Sequence, residues 1–220
     1  MRKILIFLLC LSFACPVYAQ SERYVALTFD DGPSGRFTQE LLEGLAQRDV
    51  QATFLLCGYR MREYPALTQR IFEEGHEIGL HGYSHENMAK MTKKQVEKEL
   101  SDTLRLLPEG CEPAFLRPPG GNCSSAVTAA AKELSLGILH WSVDPRDWDS
   151  EDALLIQNTV VRTVRDGDVI LLHDMSSSSV EAALAIVDEL RSQGFTFVTA
   201  SALAEIRGMD IQPGRVYLRF

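Results

Sequence analysis

Several polar clusters in this 220-residue chain fall directly after short apolar runs. Asp30-Asp31 follows Tyr24 to Phe29, and His81 follows Glu77 to Leu80. Arg117 follows Ala114 to Leu116, Asp144 to Trp148 follow Gly137 to Val143, and His173-Asp174 follows Asp168 to Leu172. Two histidines four positions apart, His81 and His85, can face one point on a helical turn or tight loop. With one carboxylate they make a donor set of two imidazoles and an aspartate whose fourth position stays open to water, as hydrolytic zinc sites require. Alone, a His-x-x-x-His pair is weak evidence, since solvent-exposed histidines often have this spacing. The Asp30-Asp31 pair at another run's end changes its weight. One carboxylate could hold metal while the other takes a proton from water; alternatively, Asp-Asp-Gly-Pro is a turn that caps the next helix. Neighbours on a strand point oppositely, but a turn at Gly32-Pro33 could bring both acids toward one centre. His76 and His140 fall outside this pattern and read as satisfied, partly buried histidines.

The apolar runs, together with Ala52 to Cys57 and Phe195 to Thr199, are continuous rather than alternating, as strands covered on both faces should be. Helical patterns separate them. Phe37, Leu41 and Leu45 repeat at four-residue spacing, as do Val96, Leu100 and Leu104. Thr92 with Gln95 predicts a capping box, Ser150 followed by Glu151 and Asp152 predicts another helix start, and Val180 to Leu190 supplies a further stripe. Strand-helix alternation predicts an α/β fold with a parallel sheet and outer helices. Seven such units in one domain suggest a barrel, incomplete or distorted, with an open doubly wound sheet as the second choice. The C-terminal strand ends of such folds gather on one face, where active sites form, and this placement of polar residues is the argument for an enzyme.

At the N-terminus, Arg2 and Lys3, an apolar stretch from Ile4 to Ala14 and the small-residue site Val17-Tyr18-Ala19 predict a cleavable signal peptide over residues 1–19. The stretch is short for a membrane span, so no stable membrane insertion is expected after cleavage, and the protein should be secreted, periplasmic or at the cell surface. The catalytic domain is expected over 20–206, with 207–220 as a short tail in which no motif is recognised. A net charge of −8, more negative still without Arg2 and Lys3, leaves no basic stripe for nucleic acid. The expected partner is a neutral or amine-bearing substrate, and the expected state is a monomer. Cys57 reads as packing. Cys111 and Cys123 could form a disulfide around Arg117 to Gly120, or all three could be separate thiols.

Five segments in order resemble the motifs of polysaccharide deacetylases, the NodB-homology group or fourth carbohydrate esterase family. They are Thr28-Phe29-Asp30-Asp31-Gly32-Pro33, His81-Gly82-Tyr83-Ser84-His85, Arg117-Pro118-Pro119-Gly120, Asp144-Pro145-Arg146-Asp147-Trp148 and Leu171-Leu172-His173. The resemblance spans about residues 23 to 206 and implies a single-domain distorted (β/α)7-8 barrel. It implies Asp31, His81 and His85 as ligands of a divalent metal, most often zinc, with cobalt or nickel also accepted. It implies Asp30 as general base, Arg117 as its orienting partner, His173 as general acid and Asp147 as the carboxylate that tunes it. Trp148 and Leu171 resemble walls of an acetyl pocket, and Gly120 and Tyr83 are placed with them as substrate-binding residues. The implied reaction is hydrolysis of N-acetyl groups on an extracellular polysaccharide, such as N-acetylglucosamine of peptidoglycan or a chitin-like glycan. An acetyl-xylan esterase, a small-molecule amidohydrolase and a non-catalytic carbohydrate-binding protein are the competing readings. Two positions depart from the pattern. Gly82 stands where a Ser or Thr usually braces the second histidine's loop, and Gly120 where many members carry an aromatic residue.

Overall fold

Apolar runs that alternate with amphipathic segments build a parallel sheet wrapped by helices. The computed structural model describes residues 22–220, so the leader expected over residues 1–19 lies outside the described residues. The chain runs β1 (Arg23–Asp30), α1 (Arg36–Gln47), β2 (Thr53–Leu56), α2 (Gly58–Glu63), α3 (Pro65–Glu73), β3 (Glu77–Leu80) and α4 (Lys93–Leu104). It continues through β4 (Phe115–Leu116), α5 (Ser125–Glu133), β5 (Gly137–Leu139), α6 (Ala153–Thr163), β6 (Val169–His173), α7 (Ser177–Ser192), β7 (Phe195–Val198), α8 (Ala200–Ile206) and β8 (Val216–Tyr217). Among the described residues the strands form one sheet in the order β6-β1-β2-β3-β4-β5-β8, with β7 on β1. The sheet curls into a half-barrel, and isolated bridges Val143–Ile170 and Asp168–Arg219 draw its open side together. The barrel expectation therefore holds over the open doubly wound sheet.

Strand alternation divides the core. Val25, Leu27 and Phe29 of β1 and Ile170 and Leu172 of β6 pack outward against α1 and α7, where Leu41, Leu42, Leu45, Ile186 and Leu190 are fully buried. Ala26, Leu55, Phe115, Leu139, Val169 and Tyr217 form a cluster on the inner face. Residues two apart share a face, so Thr28 and Asp30 follow Ala26 inward, Arg117 follows Phe115, and Leu171 and His173 follow Val169. The alternation that fills the barrel thus also aims its polar strand ends.

Local signals act as expected with two adjustments. Thr92 caps α4 through a capping box, its backbone N–H donating to Gln95 Oε1 at 2.9 Å. Helix α6 is capped by Asp152, whose Oδ1 accepts from Leu155 N–H at 3.0 Å, while Ser150 Oγ accepts one step earlier from Asp152 N–H. The run Gly137 to Val143 is strand only as far as Leu139 because its backbone changes partner. His140 N–H donates to Tyr217 C=O at 2.7 Å, whereas Ser142 N–H donates to Val169 C=O at 3.0 Å. Cys57 is buried, Cys111 half-buried and Cys123 exposed, and none is bridged. Cys111 packs against the outer core and Cys123 lies 3.4 Å from Thr128 Oγ1, so of the two alternatives the separate thiols are observed.

The segment after residue 206 adds β8 to the sheet edge beside β5. Tyr217 is 3% exposed, meets Phe115 edge-on at 6.2 Å and stacks on Phe220 at 5.4 Å. Replacing Tyr217 with Ala should therefore cost about 3 kcal/mol in urea denaturation. A loss below about 1 kcal/mol, the level of ordinary surface changes, would mean that this segment is appended to the barrel rather than part of its core.

Candidate active site

Arg117 sits at the end of β4 with no exposed surface. Its Nε donates to Leu139 C=O and its Nη2 to His140 C=O, both at 2.9 Å, and its Nη1 donates to Thr28 Oγ1 at 2.9 Å and Asp30 Oδ1 at 2.6 Å. The guanidinium thus reaches across the barrel mouth from β4 to β1 and β5 and fixes one Asp30 oxygen. The other, Oδ2, remains toward the centre, 3.8 Å from His81 Nε2.

Asp31 follows in the left-handed region at φ 72. This reversal, at Asp31 itself rather than only at Gly32-Pro33, lets two sequential carboxylates face one centre. Asp31 Oδ1 lies 3.2 Å from His81 Nε2 and 3.0 Å from His85 Nε2, and these donors cluster within 4.8 Å of one another. Burial alone would raise the Asp31 carboxyl, but the two imidazoles beside it, His81 and His85, override that and hold it well below the usual carboxylate range. His81 Nδ1–H donates to Arg117 C=O at 2.7 Å, which fixes the tautomer and leaves Nε2 for the centre. The buried Asp31 Oδ1 has no hydrogen-bond partner among the described residues. Two imidazoles, one of them oriented from behind, and a carboxylate with an otherwise unsatisfied oxygen fit a divalent ion such as zinc.

His173 ends β6 in register with Asp30 of β1. Asp147, buried on the turn after β5, binds it twice. Its Oδ1 accepts from His173 Nδ1–H at 2.9 Å and its Oδ2 from His173 N–H at 2.8 Å. Burial opposes charge on this imidazole, but Asp147 outweighs it and raises the His173 pKa to about 9. With Nδ1 engaged, Nε2 carries the proton available to the cleft.

Asp30, Asp31, His81, His85 and His173 line a cleft of about 410 Å3 with Gly120, Trp148 and Leu171. Tyr83, expected among the substrate-binding residues, is not in the lining. Its ring packs against Gly58 and its hydroxyl accepts from Arg62 Nη1 at 3.2 Å. Trp141 and Asp144 also line the cleft and carried no expected role, although Asp144 opens a recognised motif and Trp141 lies just before it. Asp174, next to His173, had no expected role of its own. It is fully buried beneath Gly32, where an added Cβ would come within 2.6 Å of its Oδ1. Burial raises its pKa to about 6, against the Thr38 hydroxyl that donates to it. His76 and His140 stay outside the cleft. Burial pushes His76 down to about 4, and its Nδ1 accepts from Ala52 N–H at 3.1 Å.

Removing Arg117 should expose how much the site depends on it. Arg117→Met should destabilise the fold by about 3–5 kcal/mol, because the buried Asp30 carboxylate is left uncompensated. Adding Asp30→Asn should restore part of that loss in a double-mutant cycle by chemical denaturation. Strict additivity would show that the pair is not energetically coupled. A second expectation concerns Asp174 in the metal-free protein. A carboxyl whose folded pKa is raised stabilises below its unfolded value and loses that contribution as pH rises through about 6. Asp174→Asn should therefore raise the Tm at pH 7 and flatten its fall between pH 4 and 7. An unchanged pH slope would contradict this.

The geometry can be set beside known proteins. The family model described as polysaccharide deacetylase matches residues 18–138. A peptidoglycan-N-acetylglucosamine deacetylase of Bacillus cereus is 38% identical over 189 residues, covering 83% of this chain and 89% of that one. The peptidoglycan-N-acetylglucosamine deacetylase PgdA of Listeria monocytogenes is 33% identical over 201 residues, covering 90% of this chain, which spans 42% of that longer protein. The structure of a family 4 acetyl xylan esterase from Clostridium thermocellum, in complex with a cobalt ion, superposes with TM-score 0.84 at 34% identity, covering 90% of this chain and 98% of that one. A curled parallel barrel with paired carboxylates and histidines at its strand ends, and these matches along most of its length, make this chain a member of the polysaccharide deacetylase family, hydrolases acting on N-acetyl amides.

Proposed function

We propose that this protein hydrolyses N-acetyl groups of an extracellular polysaccharide in a metal-dependent reaction, with N-acetylglucosamine of peptidoglycan as the substrate. One observation carries the reading. The Asp31-His81-His85 donor set, the Asp30-Arg117 pair and the His173-Asp147 pair converge on a single cleft. A second hollow of about 550 Å3 shares Asp31, Trp148 and His173 with it and continues past Ser176 to Ser179. A groove that runs beyond the reacting centre suits a polymer better than a small molecule. Peptidoglycan is favoured because relatives bear that substrate in their names. The export signal read over residues 1–19 supports an extracellular site of action.

Asp31, His81 and His85 would hold the ion, which when bound supplies Lewis acidity to polarise the amide carbonyl and acidify a water. Asp30, fixed through Oδ1 by Arg117, accepts that water's proton on its free Oδ2. Trp148 and Leu171, which line the cleft, would wall the acetyl group, and Gly120 in the same lining would offer its backbone N–H to the developing oxyanion. An amine leaves poorly unless protonated, so His173 Nε2 delivers its proton to the departing nitrogen as the C–N bond breaks. The products are acetate and the free amino sugar. An acetyl ester, whose alkoxide is a better leaving group, has less need of a separate acid such as His173 paired with Asp147. That difference favours the amide over the acetyl-xylan reading.

Acetate release from N-acetylglucosamine oligomers and from acetylated xylan, by zinc-loaded and chelator-stripped enzyme, tests the assignment. The expected result is zinc-restorable release from the amino sugar. Full activity after stripping would end the metal-dependent reading, and faster release from xylan would reverse the substrate. The acid role has its own signature in pH. Because the acid must be protonated, activity falls as pH rises through the His173 pKa. Asp147→Asn should move that falling limb down toward the ordinary histidine value of about 6.5. A limb that stays in place would remove His173 from the role.

A further inference from the structure

The loop that carries His81 and His85 departs from the family pattern at Gly82, and the structure shows what takes over there. Gly82 sits at φ 84, and a Cβ at this position would come within 2.4 Å of the buried Met88 Cε. The loop is therefore built for glycine and has no hydroxyl at position 82. The carbonyls of Gly82 and Tyr83 are held from one side by Gly58 N–H at 2.8 Å and Tyr59 N–H at 3.0 Å. Its N–H groups face the other way, toward α4. There a single oxygen, Glu99 Oε2, accepts from Tyr83 N–H at 2.9 Å, Ser84 N–H at 2.8 Å and Ser84 Oγ at 2.9 Å. His85 comes next, at φ 61, in a conformation that L-residues adopt only when their surroundings impose it.

We infer that Glu99, outside every motif that marks the family, is the positioning residue that holds His85 in its metal-binding orientation and supplies the brace that Gly82 cannot. The inference rests on the metal-site reading above. Three donors converging on one carboxylate oxygen form strong, direction-fixing contacts. Glu99 is itself fixed, since α4 is anchored by the fully buried Val96 and Leu100 and by its capping box. Ser84 is exposed, so water can satisfy its N–H if Glu99 is removed, and the fold loses little. Water cannot hold the turn in place. Stability and metal affinity should therefore separate.

The test titrates the metal-free full chain with zinc against a chromophoric chelator and follows its thermal unfolding in parallel. Loss of a group that orients a ligand costs about 10- to 100-fold in metal affinity, and Glu99→Ala should fall in that range with little change in the metal-free Tm. Glu99→Gln keeps an acceptor but not its charge, and should weaken zinc by about fivefold, since charge-assisted bonds are roughly twice as strong as neutral ones. Glu97→Gln removes one acid from the same helix, where it pairs with Lys93. As a control at a half-buried ion pair away from the loop, it should stay within about twofold of the parent. Parent-like affinity in Glu99→Ala, or an equal loss in Glu97→Gln, would overturn the inference. If Glu99→Ala does not fold, parent-like affinity in Glu99→Gln overturns it instead. His85→Ala separates the two levels of the argument. If the parent binds no more zinc than His85→Ala, the metal-site reading fails; if it does bind more, and Glu99 variants match it, only the brace fails.

Discussion

A guanidinium with no exposed surface must place its donors on protein acceptors, because no water is there to take them. Arg117 does so on Leu139, His140, Thr28 and Asp30. These partners come from strands on opposite sides of the barrel mouth, so one side chain sets how far β1 stands from β5. It also separates the two neighbouring aspartates. Asp30 is tied through one oxygen and left with one free, while Asp31, turned by its left-handed backbone, is left to the histidines. Even the tautomer of His81 depends on this residue, through the Arg117 carbonyl. In the proposed reaction Asp30 would take the proton and Asp31 would hold the ion, each set by the partners around it, although both lie within one short turn.

The opposite wall follows a similar logic with the charges reversed. Desolvation alone would leave His173 neutral, but both oxygens of the buried Asp147 are spent on it. That pairing keeps a proton on the imidazole well above neutral pH. An acid that remains charged beside a base with a free oxygen is what amide cleavage needs. The β1–β6 register sets Asp30 opposite His173, so the sheet itself supplies the separation between them.

Much of this was legible in the sequence because it rests on short-range rules. Continuous apolar runs marked the strands, polar residues after them marked the mouth, and the capping box of α4 was read to the residue. Other features were hidden. β8 is a two-residue strand whose apolar content, Val216 and Tyr217, gives no periodicity; its place comes from pairing with β5 and from packing against Phe115 and Phe220. Glu99 reads as one more helical surface charge until the fold brings Tyr83 and Ser84 to it. Asp174, a carboxylate beside a histidine at a strand end, looked like part of the mouth, and only burial shows that it lies underneath. Tyr83 is the complementary case. It sits between His81 and His85 in the sequence, but the left-handed turns at Gly82 and His85 carry its side chain toward Arg62.

The central claim is that adjacent aspartates have separate duties, imposed by Arg117 on one and by two histidines on the other. Zinc binding and acetate release measured together on Asp30→Asn and Asp31→Asn test it most directly. The account predicts that Asp30→Asn keeps zinc and loses turnover by at least about 100-fold, as removal of a general base does. Asp31→Asn should lose zinc itself. Equal loss of zinc in both variants, or turnover retained in Asp30→Asn, would contradict the division.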